Sequence, residues 1–137
     1  MIEYMKLIYN EDAIIDLYLI NEWYAYTNSK EVLLKGIKNS LDVYGAYDKD
    51  KLVGLIRTVG DRETIIYIQD ILINQDYQRK GIGTKLINII IDKYQHVRQI
   101  VLVTDQTQKQ IEFYKSVGFI AIHENGGVAF KFKKQII

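Results

Sequence analysis

The sequence predicts one mixed α/β domain, and three observations predict it. Its 137 residues fit a single typical domain and are too few for two ordinary ones. Apolar residues make up 48% and charged residues 26%, the balance of a globular chain that builds its own core without a disulfide or metal staple. Segments of helical period alternate with β-branched runs, in the order β-α-α-β-β-β-α-β-α-β-β.

Ile2 to Ile8 reads as a strand. Asn10-Glu11-Asp12 starts a helix that continues through Ile14, Ile15, Leu17, Tyr18 and Leu19 to Trp23. Thr27-Asn28-Ser29 is a loop, and Ser29 caps a second helix whose Val32, Leu33, Leu34 and Ile37 recur at helical spacing. Leu41 to Tyr47 and Leu52 to Val59 form a hairpin about the polar turn Asp48-Lys49-Asp50-Lys51. After a turn at Gly60-Asp61-Arg62-Glu63, Thr64 to Ile73 is so rich in β-branched residues that it predicts a central strand. The loop 74–80 leads to Gly81-Ile82-Gly83 and a helix whose Leu86, Ile87, Ile90, Ile91 and Tyr94 make one wide apolar face. Ile100 to Thr104 is continuously apolar and predicts a buried strand. Gln106 to Ser116 is a helix stopped by Gly118, and Phe119–His123 with Val128–Phe132 predict a closing strand pair about Asn125-Gly126-Gly127.

Composition excludes several chemistries. There is no cysteine, hence no disulfide, no thiol nucleophile and no Cys-ligated metal. Two histidines, His96 and His123, cannot make a three-histidine site, and no metal is expected. Both histidines read as surface or capping residues. The net charge of +1 lacks the basic excess of a nucleic-acid binder. The charge is nevertheless divided: residues 1–70 carry 8 basic and 12 acidic groups, residues 71–137 carry 10 and 5. That division suits an anionic ligand on the second half, and scattered solvated charge would look the same. The start, MIEYMKLIYNEDAII, has early acids and no signal-peptide core, and no apolar run approaches a membrane span. The expectation is a cytoplasmic protein. The 23 isoleucines and 11 tyrosines read as compositional bias rather than function.

The chemistry concentrates in the strand–loop–helix of residues 67–94. A P-loop fails, because Gly83 is followed by Thr84 then Lys85 and no glycine lies five residues before it. The dinucleotide fingerprint is weak, because the third glycine position is Leu86 and no acid follows at the required distance. What fits is Q-x-x-G-x-G, as Gln78-Arg79-Lys80-Gly81-Ile82-Gly83. In this segment the chain resembles the GNAT superfamily of acyl-CoA-dependent N-acetyltransferases. Two further matches follow the same order. Leu52-Val53-Gly54, with Arg57 beyond it, resembles the family's "LVG" strand, and Phe113-Tyr114-Lys115-Ser116-Val117-Gly118-Phe119 resembles its F-Y-x-x-x-G-F segment. Together they span residues 52–119, about half the chain.

The resemblance implies a mostly antiparallel central sheet flanked by helices, within one acetyltransferase-like domain of residues 1–137. It implies acetyl-CoA as co-substrate, with the pyrophosphate on the backbone N–H groups of Gln78, Arg79, Lys80, Gly81, Ile82, Gly83 and Thr84. The physics agrees. A helix N-terminus offers unpaired N–H donors and partial positive charge, and glycines let phosphate approach the backbone. It further implies that the strand segment Ile71, Leu72 and Ile73 pairs with the pantetheine arm, and that Tyr114 protonates the departing thiolate. As an ordinary helix tyrosine Tyr114 would simply cover the core. Where the family often has Asn, seven residues before that Tyr, this chain has Thr107.

The general-base positions depart from the family pattern. Counting back 11 and 9 residues from Gln78 gives Tyr67 and Gln69, neither a base near neutral pH. By simple alternation Asp70 lies on the opposite strand face, as a buried hydrogen-bonding acid or, through a bulge or water, a catalytic one. Glu22, Asp61 and Glu63 are further acids that could border the acceptor site. Trp23, Tyr24 and Tyr26 cluster where the family builds its acceptor pocket, and an aromatic wall suits an amine. Core and rim packing explains the same cluster equally well. The resemblance thus implies acetyl transfer to a primary amine of a small molecule or peptide, with no nucleic-acid or membrane partner. A non-catalytic acyl-CoA-binding or protein-interaction module on the same fold is the alternative. Homodimers recur in the family, and the C-terminal strands would be the place for one. The basic tail Lys131, Lys133, Lys134 reads as solubilising an edge strand.

Overall fold

The computed structural model describes residues 1–134. The chain divides into two compact units, one of residues 1–103 and one that begins at Thr104. The first holds five strands: β1 (Ile2–Lys6), β2 (Asp42–Asp48), β3 (Lys51–Gly60), β4 (Ile65–Ile73) and β5 (Gln99–Leu102). They pair in the order β1-β2-β3-β4-β5. Three pairings are antiparallel and β4–β5 is parallel, so the mostly antiparallel α/β sheet expected from the sequence is present.

Local chemistry sets the turns. Lys49 takes φ 56° between β2 and β3. Between β3 and β4, Asp61 accepts the N–H groups of Glu63, Thr64 and Ile65 at 2.9, 2.7 and 3.1 Å and the Thr64 hydroxyl at 2.6 Å. Those donors, the Thr64 hydroxyl first, hold its carboxyl well below the usual range. Gly60 opens this turn at φ 150°, where a Cβ would lie 2.3 Å from the Ile65 carbonyl oxygen, so a side chain is excluded.

Three helices precede β2: α1 (Glu11–Ile20), α2 (Tyr24–Thr27) and α3 (Lys30–Lys38). Asn10 caps α1 by accepting from the Ala13 N–H at 3.0 Å. Ser29 stands at the N-cap of α3, but its side chain makes no capping bond, contrary to expectation. Ile14, Leu17 and Tyr18 of α1 and Leu33 and Ile37 of α3 are buried in one core with Tyr47, Leu52, Leu55 and Leu72. Each such side chain contributes about 1.5–3 kcal/mol of burial. The fourth helix, α4 (Ile82–Lys93), packs on the other face of the sheet. Gly54 precedes Leu55 and therefore points the opposite way. A Cβ on it would meet Ile82 Cγ2 and Ile73 Cδ1, both at 3.1 Å, so the glycine of the "LVG" segment lets α4 close on the sheet.

Two expectations need correction. The strand at 100–104 is Gln99–Leu102, it lies at the sheet edge, and its apolar residues are only half-buried. A short apolar run does not distinguish an edge from an interior position. The closing strand pair is absent among the described residues. Ile122–Asn125 is a 3₁₀ turn, closed when the Gly127 N–H donates to the Ile122 carbonyl at 3.1 Å with Gly126 at φ 84°. Asn125-Gly126-Gly127 does turn the chain, but it terminates a helix rather than joining strands. Residues 126–134 form no strand, so a strand-mediated dimer and an edge for the basic tail lose their structural basis among these residues.

The second unit contains α5 (Gln108–Ser116). Thr107 is its N-cap, accepting from the Gln110 N–H at 3.2 Å. At its end the Phe119 N–H donates to the Tyr114 carbonyl at 3.0 Å and the Gly118 N–H to Lys115 at 3.1 Å, with Gly118 at φ 101°. This is a Schellman termination, and it explains the glycine of the F-Y-x-x-x-G-F segment.

Candidate functional site

The β4 strand is interrupted. Arg57 of β3 pairs with Asp70, but the next residue, Thr58, pairs with Ile68, leaving Gln69 as a bulge. Arg57 and Thr58 face opposite sides of β3, so Asp70 and Ile68 face opposite sides of β4. Simple alternation, which put Asp70 on the face opposite Tyr67 and Gln69, therefore fails at Gln69. Pairing with β5 ends at the same place: Ile65 to Ile68 are matched with Gln99 to Leu102, and Gln69–Ile73 have no β5 partner. The segment Ile71–Ile73, expected to meet the pantetheine arm, thus has one backbone edge with no strand partner among the described residues, while the other pairs with β3.

Beyond β4 the chain turns sharply into α4. The Asn74 N–H donates to the Val53 carbonyl at 2.8 Å, and the Asn74 side chain accepts from Asp76 N–H at 2.9 Å, opening a 3₁₀ turn at Gln75–Tyr77. The Gln78 side chain reaches back to the Ile73 carbonyl at 3.4 Å. Arg79 at φ 64° and Gly81 at φ 79° bend the backbone twice before Ile82 starts the helix. Among the described residues no side chain caps α4. Its first backbone bond is Lys85 N–H to the Gly81 carbonyl at 3.1 Å, and among the described residues no acceptor takes the N–H of Ile82, Gly83 or Thr84. A Cβ built on Gly81 meets nothing within 4 Å. The result is an open concavity of N–H donors at a helix N-terminus with Arg79 and Lys80 exposed beside it, which fits a pyrophosphate. Tyr77 anchors the loop from outside by donating to Asp48 at 2.6 Å, with Lys51 and Lys80 over its ring.

Behind the bulge lies a buried polar network. Asp70 is 3% exposed. One oxygen accepts from Arg57 Nε and from the Tyr18 hydroxyl, both at 2.8 Å, and the other accepts from the Tyr26 hydroxyl at 2.9 Å. Tyr26 in turn accepts from Arg57 Nη2 at 3.2 Å and from the exposed Gln69 amide at 3.0 Å. Burial and then the Asp70 charge push the Tyr18 hydroxyl far above its ordinary range. Burial also raises Tyr26, so both stay protonated. Burial alone would lower the Arg57 guanidinium, but Asp70 outweighs it and the net direction is up.

The end of α1 brings the aromatic members into place. Glu22 sits at φ 60°. The Trp23 N–H then donates to the Tyr18 carbonyl at 3.1 Å and the Glu22 N–H to Leu19 at 2.9 Å, a second Schellman turn. It lays Trp23 edge-on to Tyr18 at 5.7 Å and stacked with Tyr26 at 6.0 Å. Tyr24 is exposed, outside this stack.

The other candidates separate cleanly. Asp61 and Glu22 serve turns. Tyr67 is half-buried and pairs with Val59 on the β3 side of the sheet. His96 Nε2 lies 2.8 Å from the Arg62 carbonyl, an exposed cap. In the second unit, Tyr114 is half-buried, with its ring edge-on to Phe113 at 5.0 Å and Phe119 at 5.9 Å. Burial raises its hydroxyl above the ordinary range, and the Thr104 side chain opposes this. No group of three or more His, Asp or Glu among the described residues is arranged to hold a metal ion. Sequence reasoning noted Tyr26, Arg57 and Asp70 separately but did not join them. The available signal was an Arg and an Asp in adjacent strands of otherwise apolar sequence, because two such charges are buried only as partners.

Comparison with known proteins adds independent findings. The model of the acetyltransferase (GNAT) domain family matches residues 8–130. A protein of Gracilaria tenuistipitata var. liui named as an uncharacterized N-acetyltransferase, ycf52, is 27% identical over an alignment 136 positions long, gaps included; the match covers 85% of this chain and 74% of that protein. Among solved structures, the GNAT family acetyltransferase SP0256 from Streptococcus pneumoniae TIGR4 is 31% identical, superposes with a TM-score of 0.88, and covers 99% of this chain and 100% of its own. An aminoglycoside acetyltransferase, meta-AAC0020, from an uncultured soil metagenomic sample and solved with sisomicin, shares the fold at 21% identity, with a TM-score of 0.73 over 98% of this chain and 97% of that one.

Proposed function

The chain belongs to the acetyltransferase (GNAT) family, and on that premise we propose that it moves an acetyl group from acetyl-CoA directly to a primary amine of a small molecule or peptide. The observation that carries this reading is the open cradle of N–H groups at Ile82, Gly83 and Thr84, set beside the unpaired edge of Ile71–Ile73. The family match spans both compact units, which supports residues 1–137 acting as one acetyltransferase domain.

Gln78, Arg79, Lys80, Gly81, Ile82, Gly83 and Thr84 would hold the pyrophosphate, by backbone N–H groups and by charge. The backbone of Ile71, Leu72 and Ile73 would hold the pantetheine arm, and an N–H there would donate to the carbonyl oxygen as charge develops on it. When bound, acetyl-CoA supplies an acetyl group already activated as a thioester. Tyr114 would donate its proton to the departing sulfur, and its raised pKa keeps that proton in place through neutral pH. The chain has no cysteine to form a covalent intermediate, consistent with direct transfer. The solved structure of the same fold that holds sisomicin is that of an aminoglycoside acetyltransferase, and an amine-bearing small molecule there supports this acceptor class here.

Calorimetric titration tests the reading. We expect saturable 1:1 binding of acetyl-CoA and none of NAD or ATP. Gly81→Glu should weaken binding by at least about tenfold in a folded protein, because the new side chain and charge enter the cradle. Tyr114→Phe should retain acetyl-CoA binding and lower kcat by about 10²-fold, the usual scale for losing a general acid. Absence of binding by folded protein would overturn the cofactor assignment. Binding without turnover of any amine would favour the non-catalytic module.

A further inference from the structure

The polarity of one hydroxyl points to how the acceptor is recognised. Tyr26 has a single proton, and Asp70 takes it at 2.9 Å. The reverse is excluded, because a carboxylate facing Arg57 Nε at 2.8 Å and the Tyr18 hydroxyl at 2.8 Å has no proton to give. Tyr26 can therefore only accept from its remaining sides. One lone pair is taken by Arg57 Nη2 at 3.2 Å, from inside. The other is taken by the Gln69 amide at 3.0 Å, from an exposed residue. Gln69 is also the bulged residue, the first on β4 beyond the last pair with β5. The outward lone pair of Tyr26 thus lies at the head of the open edge that leads to Ile71–Ile73.

We propose that Tyr26 is the acceptor-binding residue: its hydroxyl oxygen accepts an N–H of the incoming amine, which takes the place held by the Gln69 side chain. The assignment rests on the acetyl-transfer reading above and specifies its acceptor side. The buried Asp70–Arg57 pair fixes the direction of the hydroxyl, so the site selects a hydrogen-bond donor and rejects a group that can only accept. Trp23, stacked on the Tyr26 ring at 6.0 Å, forms an apolar wall for the carbon next to that amine. Tyr18 shares Asp70 with Tyr26 but is fully buried, and it plays no part in contact with the substrate.

The test uses spermidine, putrescine and sisomicin as amine probes. It follows thiol release at saturating acetyl-CoA, and the emission of Trp23, the only tryptophan of the chain, during titration of each amine with CoA present. Tyr26→Phe should raise the KM of every amine that is turned over by at least about tenfold, the effect of one lost hydrogen bond to a charged group. The acetyl-CoA KM should stay within about twofold, and the amine-dependent change in Trp23 emission should move to correspondingly higher concentration. Tyr18→Phe removes the other hydroxyl from Asp70 and should leave the amine KM in place. Gln69→Ala removes the competing amide and should lower the amine KM. An unchanged amine KM in Tyr26→Phe overturns the proposal, as does an equal rise in Tyr18→Phe, which would mark a purely structural role. Should Tyr26→Phe fail to fold, Gln69→Ala decides: a lower amine KM supports the proposal, and an unchanged or higher one overturns it. Wild-type protein that binds acetyl-CoA yet neither acetylates these amines nor changes its emission overturns this inference alone. Failure to bind acetyl-CoA overturns the reading beneath it as well.

Discussion

Arg57 and Asp70 form an ion pair with side chains 8% and 2% exposed, at 2.8 Å. Such a pair is not stabilising merely by existing, since desolvation offsets the attraction. Removing one member is another matter. Arg57→Met leaves a buried carboxylate with only two hydroxyl donors, and we expect a loss of about 3–5 kcal/mol in unfolding free energy, read from urea denaturation. None of this was visible residue by residue. Tyr18 and Asp70 are 52 positions apart in sequence, Tyr26 and Asp70 44, and only the folded topology brings them to hydrogen-bonding distance.

At the scale of the element, legibility followed locality. The α1 cap at Asn10, the α5 stop at Gly118 and the hairpin turns at Lys49 and Asp61 all depend on residues within a few positions of one another, and they lie where their chemistry places them. The end of α1 did not read from sequence, because its left-handed position holds Glu22 at φ 60° rather than a glycine. That helix was expected to run to Trp23, whereas Trp23 begins the return of the chain. A left-handed non-glycine costs about 1–2 kcal/mol, part of which glycine gives back in unfolded-state entropy. Glu22→Gly should therefore raise stability by about 0.5–1 kcal/mol, seen as a higher denaturant midpoint with an unchanged slope. The Trp23–Tyr26 stack should survive it, since the turn keeps its conformation.

Over the whole molecule, the sheet visits its strands in sequence order, so each antiparallel neighbour is also the next strand in the chain. This is why the motifs, in order and with sensible gaps, sufficed to predict the fold class. Three features escaped for one shared reason. The edge position of β5, the bulge at Gln69 and the lack of strands beyond Phe119 among the described residues are properties of pairing between segments, and hydrophobic pattern reports only the burial of each segment alone. The cradle at Gly81 was legible because its geometry is made by consecutive residues. The buried network about Asp70 was not, because it is assembled from α1, α2, β3 and β4.

The bulge has a consequence for chain length as distinct from chain identity. Residues 66, 68, 70 and 72 are all buried, yet the first two and the last two face opposite sides of the sheet. Gln69 is the one-residue spacer that keeps the two halves of the strand in phase with their separate surroundings. Its side chain is exposed, so Gln69→Ala should alter stability by no more than about 0.5 kcal/mol. Loss of the residue altogether should turn one half of the strand over, forcing either Asp70 from its partners or Ile66 and Ile68 from theirs. A survey of single substitutions and single deletions along residues 65–73, scored by soluble yield, should find position 69 among the most permissive to replacement and among the least permissive to removal.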